Sequence, residues 1–276
     1  MKRAAAIWVL IGACSAPSPY TSHYNRGLDA YDRGDLATAI SEFTLAVEDD
    51  PQNYRAWFNL GVAHQDQDAW EPAERAYLRV LEIQPDNARA HVNLAVVYEE
   101  RGDPGTALTH LQIAAQAEPD RAFPLSAMGH YWEGRGHLQR AEDLYREAVA
   151  RERTHVESNY RLGKLLVDTG RVDEGLPYLE AALDVNPNDV PALVAAAKAY
   201  ALGGSRVNAI LALQRAELRA RVIEPALYLQ LADLLEADER YEEAVGYIWK
   251  ARNAGATKEL YEPRQARLYQ KLQQQR

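Results

Sequence analysis

A 34-residue period runs through this chain and leaves it few folds to choose from. Small residues recur at Ala39, Ala73, Ala107, Ala141, Gly175 and Ala209, each 34 residues after the last, and again at Ala244 after a step of 35. A second column, mostly alanine, follows seven residues on, from Ala46 to Ala251. A third precedes the first, at Gly27, Gly61, Ala95, Gly129, Gly163, Ala197 and Ala232. A fixed period of this length marks a stack of one repeated supersecondary unit, not a single compact core.

The second copy shows what that unit is. Trp57, Leu60, Gly61 and His64 fall at i, i+3, i+4 and i+7, one face of a helix. A polar break at Asp66–Asp68 ends it, where most copies place glycine (Gly34, Gly102, Gly136, Gly170, Gly204). Ala73, Tyr77, Val80 and Leu81 then make the face of a second helix. Pro85 stops that helix, as Pro51, Pro119 and Pro187 do in their copies, because proline restricts its predecessor and breaks the hydrogen-bond ladder. Neither helix can bury its apolar face alone, so each pair must stack on the next.

Spacing and residues together resemble the tetratricopeptide repeat. The resemblance covers residues 20–256 and implies an all-α chain, a right-handed α-solenoid of about seven helix-turn-helix units, with residues 257–276 as a C-terminal capping segment. Departures are local. Arg153 and Arg221 stand where other copies end in proline, His23 and His91 take the aromatic position near the start, and Gly175 replaces a helix-favouring alanine. The extra residue lies between Glu217 and Pro225, and is expected to alter the angle between the sixth and seventh pairs. In the capping segment, Leu260, Leu268, Tyr269 and Leu272 are expected to cover the last pair, with Pro263 near a helix start.

Residues 1–13 read as a targeting segment. Lys2 and Arg3 open it, and Ala4–Gly12 is apolar but too short to span a bilayer as a helix. The run ends in Ile11-Gly12-Ala13-Cys14, which resembles the bacterial lipobox; the resemblance implies cleavage before Cys14 and acylation of it. The alternative is an ordinary secretory signal with an incidental cysteine. Cys14 is the only cysteine in the chain, as suits export to an oxidising compartment. Residues 14–19 would be a short tether, and by resemblance to lipoprotein sorting in Gram-negative bacteria, Ser15 favours the outer membrane. The expected location is the cell envelope, anchored in that membrane and facing the periplasm. The formal charge of −9 argues against nucleic acid as a partner.

No catalytic motif stands out, and neither a cofactor nor a metal site is expected: HExxH, glycine-rich phosphate loops, GxSxG and CxxC are all missing from the sequence. The seven histidines are scattered, and His23, His64 and His91 fall at packing columns. An enzyme is not expected.

Function must then come from the surface that stacking creates. In the family this chain resembles, the fifth and ninth residues of each first helix line the concave face. Here those positions hold an apolar strip over three repeats: Tyr24, Leu28, Phe58, Val62, Val92 and Val96. Asp32, Asp66, Glu99 and Glu100 run beside it. A groove of that kind would take a basic, partly apolar segment of an envelope protein. The alternative is that Tyr24 and Phe58 are covered by neighbouring helices. The lysine and asparagine pairing with which chaperone-tail binders of this family clamp a carboxylate is not found at these positions in any repeat. The expected role is a membrane-tethered adaptor, by resemblance a pilotin-like helper of pilus or secretion assembly or an adaptor for cell-wall enzymes. The competing role is a structural lipoprotein that self-assembles through its end faces.

Overall fold

The computed structural model describes residues 22–220 and 224–275. The Cys14 segment, the tether and Tyr20 lie outside the described residues, and the lipidation expectation with them. Among the described residues there are fifteen helices and no strand. They divide into two compact units, with the boundary in the chain between residues 135 and 136. The first contains α1 (His23–Asp32), α2 (Leu36–Asp49), α3 (Tyr54–Asp66), α4 (Trp70–Ile83), α5 (Ala88–Glu100), α6 (Pro104–Ala117) and α7 (Ala122–Gly134). The second contains α8 (Leu138–Arg151), α9 (Val156–Asp168), α10 (Val172–Val185), α11 (Val190–Leu202), α12 (Arg206–Arg219), α13 (Pro225–Ala237), α14 (Tyr241–Asn253) and α15 (Lys258–Gln274).

The helix starts keep the sequence period. From α3 to α11 the first helices begin at residues 54, 88, 122, 156 and 190, then α13 at 225, so the extra residue falls in the α12–α13 connection. Short polar side chains set these starts by accepting a hydrogen bond from an otherwise orphaned backbone N–H. Asp35 caps α2 through Thr38, Asn53 caps α3 through Ala56, Asn87 caps α5 through Ala90, and Asp189 caps α11 through Ala192. The chain reverses between paired helices through one residue of positive φ, which glycine adopts freely: Gly102 at 80°, Gly204 at 79°. The second and seventh pairs put Asp68 (58°) and Glu239 (61°) in that conformation instead.

The glycine column is where rings enter. A Cβ on Gly61 would stand 2.6 Å from the Tyr77 ring, and one on Gly27 equally close to Phe43. Both aromatics are fully buried. The ring of one helix therefore lies directly on the backbone of its partner.

The capping segment is a helix, in a different phase from the one expected. Tyr261 and Leu268 are buried against Leu231 and Ile248, whereas Leu260 and Tyr269 face solvent and Leu272 is half-buried. Pro263 sits six residues into α15, not at its start. The basic side chains of this helix turn back onto α13: Arg264 donates to both oxygens of Asp233, and Arg267 and Lys271 share Glu236.

Candidate interaction cleft

The apolar strip expected over the first three repeats is mostly core. Phe58 is 1% exposed and Val62 fully buried, both packed in one cluster with Tyr77, Ala90 and Leu94. Tyr24 and Val92 are buried as well, while Leu28 and Val96 are half-buried. The Tyr24 hydroxyl accepts a hydrogen bond from buried Asn59 at 3.2 Å, which ties α1 to α3. The reason is close stacking: at these positions the next pair's first helix covers the side chain. Of the flanking acids, Asp66 accepts from the Tyr31 hydroxyl and Glu99 from Arg135 at 2.6 Å, while Asp32 and Glu100 remain exposed. Burial raises the Asp66 carboxyl above its ordinary range even with that hydrogen bond. These residues do not form an open apolar groove, and the basic segment expected to fill it loses its site.

The equivalent positions in the second unit do open. A cleft of ≈ 420 Å3 lies along the first helices α9, α11 and α13. Val167, Val190, Val194 and Ala195 make its apolar floor, with Tyr160 at one side and Gln230 at the far end. Tyr160 and Val194 are fifth residues of their helices, and Lys164 and Lys198 are ninth residues, 34 apart. At the second and sixth residues of α11, Pro191 and Ala195 are smaller than Arg55 and Asn59 of α3 and Arg89 and Asn93 of α5.

The two lysines share one carboxylate. Lys164 Nζ donates to Asp168 Oδ2 at 2.6 Å, and Lys198 Nζ donates to Oδ1 at 2.5 Å. Burial alone would raise the Asp168 carboxyl, yet the two ammonium groups hold it below the usual carboxylate range. Burial also pushes the Tyr160 phenol up, so it is a neutral hydroxyl at any physiological pH. Two positive charges against one negative leave the rim with an excess positive charge above an apolar floor. That combination suits an apolar side chain flanked by a carboxylate.

The signal for this cleft was present in the chain, as two lysines one period apart in the first-helix column. It is easy to pass over, because lysine on a helix surface is ordinary until the floor beneath is seen to be open. Among the described residues no three His, Cys, Asp or Glu side chains converge as a metal site, and no helix is long and apolar enough to cross a membrane.

Sequence-family models described as tetratricopeptide repeat match residues 24–86, 76–109 and 134–199. No curated protein sequence matches the chain. Solved structures do. A Pseudomonas aeruginosa pilF structure is 20% identical, with 78% of this chain and 97% of that one covered at a TM-score of 0.67. A tetratricopeptide repeat protein from Parabacteroides merdae ATCC 43184 is also 20% identical, covering 90% and 97% at 0.55. A chain of the APC/C hetero-tetramer Cut9–Hcn1 is 14% identical, covering 85% of this chain and 48% of that one at 0.68. At these identities the likeness is one of fold.

Proposed function

We propose that this tetratricopeptide-repeat protein is a non-catalytic adaptor that holds a segment of another protein in the cleft along α9, α11 and α13. The observation that carries the reading is the open apolar floor beneath Lys164 and Lys198, at positions where the first unit is closed. A partner segment would seat an apolar side chain between Val167 and Val194 and set a carboxylate near the lysines, displacing part of the Asp168 bridge. The apolar contact supplies affinity, and the charges supply encounter rate and choice of sign. Its chemistry is therefore acidic and apolar, the reverse in charge of the basic segment expected from the sequence.

The lipobox-like Ile11–Cys14 supports a second part of the proposal, that the adaptor is acylated at Cys14 and works at a membrane of the cell envelope. Pilotin-like assistance to an envelope assembly, or recruitment of cell-wall enzymes, are the roles in which such a tethered adaptor would act. Crosslinking tests the cleft. A photoreactive group at Val194 should join the chain to a partner that wild type also captures, and Lys164→Glu with Lys198→Glu should lose it. A captured set unchanged by the double variant would overturn this site.

A further inference from the structure

His91 on α5 and His110 on α6 face each other in the third helix pair with their Nδ1 atoms 2.8 Å apart. His91 is only 5% exposed, and its other nitrogen, Nε2, lies 3.0 Å from the carbonyl oxygen of Pro85. A carbonyl can only accept, so His91 carries its hydrogen on Nε2 and leaves Nδ1 as a bare acceptor. His110 must then donate through Nδ1–H. The backbone of the Pro85 turn thus fixes both tautomers.

The surroundings offer little to neutralise a second charge. From α4 comes Glu74, already paired with Arg101 and accepting from the Tyr98 hydroxyl at 2.6 Å. From α5, the Tyr98 ring stacks on His110 at 5.4 Å and 6°. The neighbouring apolar core of α5 and α6 packs on Phe123, Ala127, Met128, Tyr131 and Trp132 of α7, none of them charged. Burial first, and the neighbouring His91 second, lower the His110 pKa, with Glu74 opposing weakly.

Only one hydrogen fits between the two Nδ1 atoms. A proton can add at His110 Nε2 and leave that bond intact, but a further one on His91 Nδ1 sets N–H against N–H with two positive charges at contact. We propose that the His91–His110 pair is a proton-sensitive latch, which holds α5 to α6 near neutral pH and lets the third repeat loosen on acidification. Opening also frees the Pro85 turn, which lines a polar cavity of ≈ 580 Å3 with Tyr54, Arg89 and Arg121. The first repeat supplies a built-in contrast. At the same two positions, 68 residues earlier, it holds His23 and Glu42, joined at 2.8 Å. There the imidazole faces a carboxylate in place of a second imidazole, with Arg26 2.6 Å from the same His23 nitrogen. Burial would raise Glu42, but His23 and Arg26 keep its carboxyl below the ordinary range, so the contrast persists through mild acid.

The closed latch binds fewer protons than the opened one. Its stability is therefore complete above the free-histidine range, about pH 6.5, and lost as pH falls below it. Hydrogen exchange of the full chain at pH 7.5 and 5.5, corrected for intrinsic rates, tests this. Amides of α5 and α6 should lose protection relative to α1 and α2, by up to about tenfold in opened population per pH unit for each proton excluded. His110→Gln, whose amide can donate to His91 Nδ1 or, turned over, accept from it once that nitrogen carries a proton, should remove the difference. Equal loss in the two helix pairs, or an unchanged pH response in the variant, overturns the proposal. Imidazole nitrogen shifts of the wild type at pH 7.5 give a second check that needs no variant: His91 protonated on Nε2 and His110 on Nδ1 are expected, and any other tautomer pair refutes the latch.

Discussion

Gly163 on α9 and Gly175 on α10 face one another so closely that neither has room for a methyl group. A Cβ on Gly175 would lie 2.7 Å from the Gly163 carbonyl oxygen, and one on Gly163 would lie 2.8 Å from that of Gly175. The other six copies of this column all use alanine, opposite either glycine or alanine, and the fifth repeat alone pairs two glycines.

Gly175→Ala is accordingly expected to destabilise. Alanine gains up to about 1 kcal/mol in helix propensity, but backbone oxygen cannot step aside as a flexible side chain can, and overpacking costs roughly 1–3 kcal/mol. Thermal or urea unfolding should show a net loss. A variant as stable as wild type would mean that α9 and α10 can separate freely.

Phe58→Ala should act on stability and not on binding. The ring is buried 5.7 Å from that of Tyr77, and truncating a buried phenylalanine costs about 3–5 kcal/mol. Urea unfolding measures it. If the variant is as stable as wild type but loses a partner, Phe58 is a groove residue after all.

Glu239→Gly should stabilise. Glu239 is an exposed side chain held at φ 61°, where glycine stands in most other turns of the chain. Relief of the left-handed backbone contributes about 1–2 kcal/mol, offset in part by the greater freedom of glycine in the unfolded chain. The expected result is a modest rise in Tm; a fall would show that the glutamate side chain makes a contact that matters.

Lys198→Glu should slow association of an acidic, apolar peptide more than it speeds dissociation, since rim charges act chiefly on encounter. The effect should shrink between low and physiological salt as screening shortens to about 8 Å. Stopped-flow rates at two ionic strengths settle it, and a salt-independent effect would point to a direct buried contact.

Cys14→Ser should leave the chain unprocessed and free of labelled fatty acid. Uptake of label equal to wild type would sink the lipobox reading.

Repeat number, helix phase and the site of the extra residue were all legible in the sequence, because the 34-residue period and its small columns are local and repeated. Groove position was not. Whether fifth and ninth residues line an open face depends on the side-chain volumes set against them. Phe58 meets Tyr77 and is swallowed, whereas Val194 beside Ala195 leaves space. The phase of α15 was missed for a related reason. Its period had no copies to align against, so Tyr261 could not be told from Leu260 as the inward residue.

The fastening of α15 to α13 has a consequence for how the second unit would come apart. Elsewhere in the unit, ion pairs such as Arg171–Glu142 and Lys198–Asp168 lie beside the apolar contacts between helices. Here Arg264, Arg267 and Lys271 converge on half-exposed Asp233 and buried Glu236, and both arginines hold their carboxylates with bidentate forks. The arginine and lysine partners keep the Glu236 carboxyl below its ordinary range, so this grip survives until the pH falls through that lowered value. Added salt reaches the half-exposed Asp233 arm sooner than the buried Glu236 arm. Ionic strength therefore weakens part of this joint: Tyr261, Leu268 and buried Glu236 keep α15 seated while the Asp233 arm loosens, so proteolysis along a salt titration should find α15 frayed before it detaches.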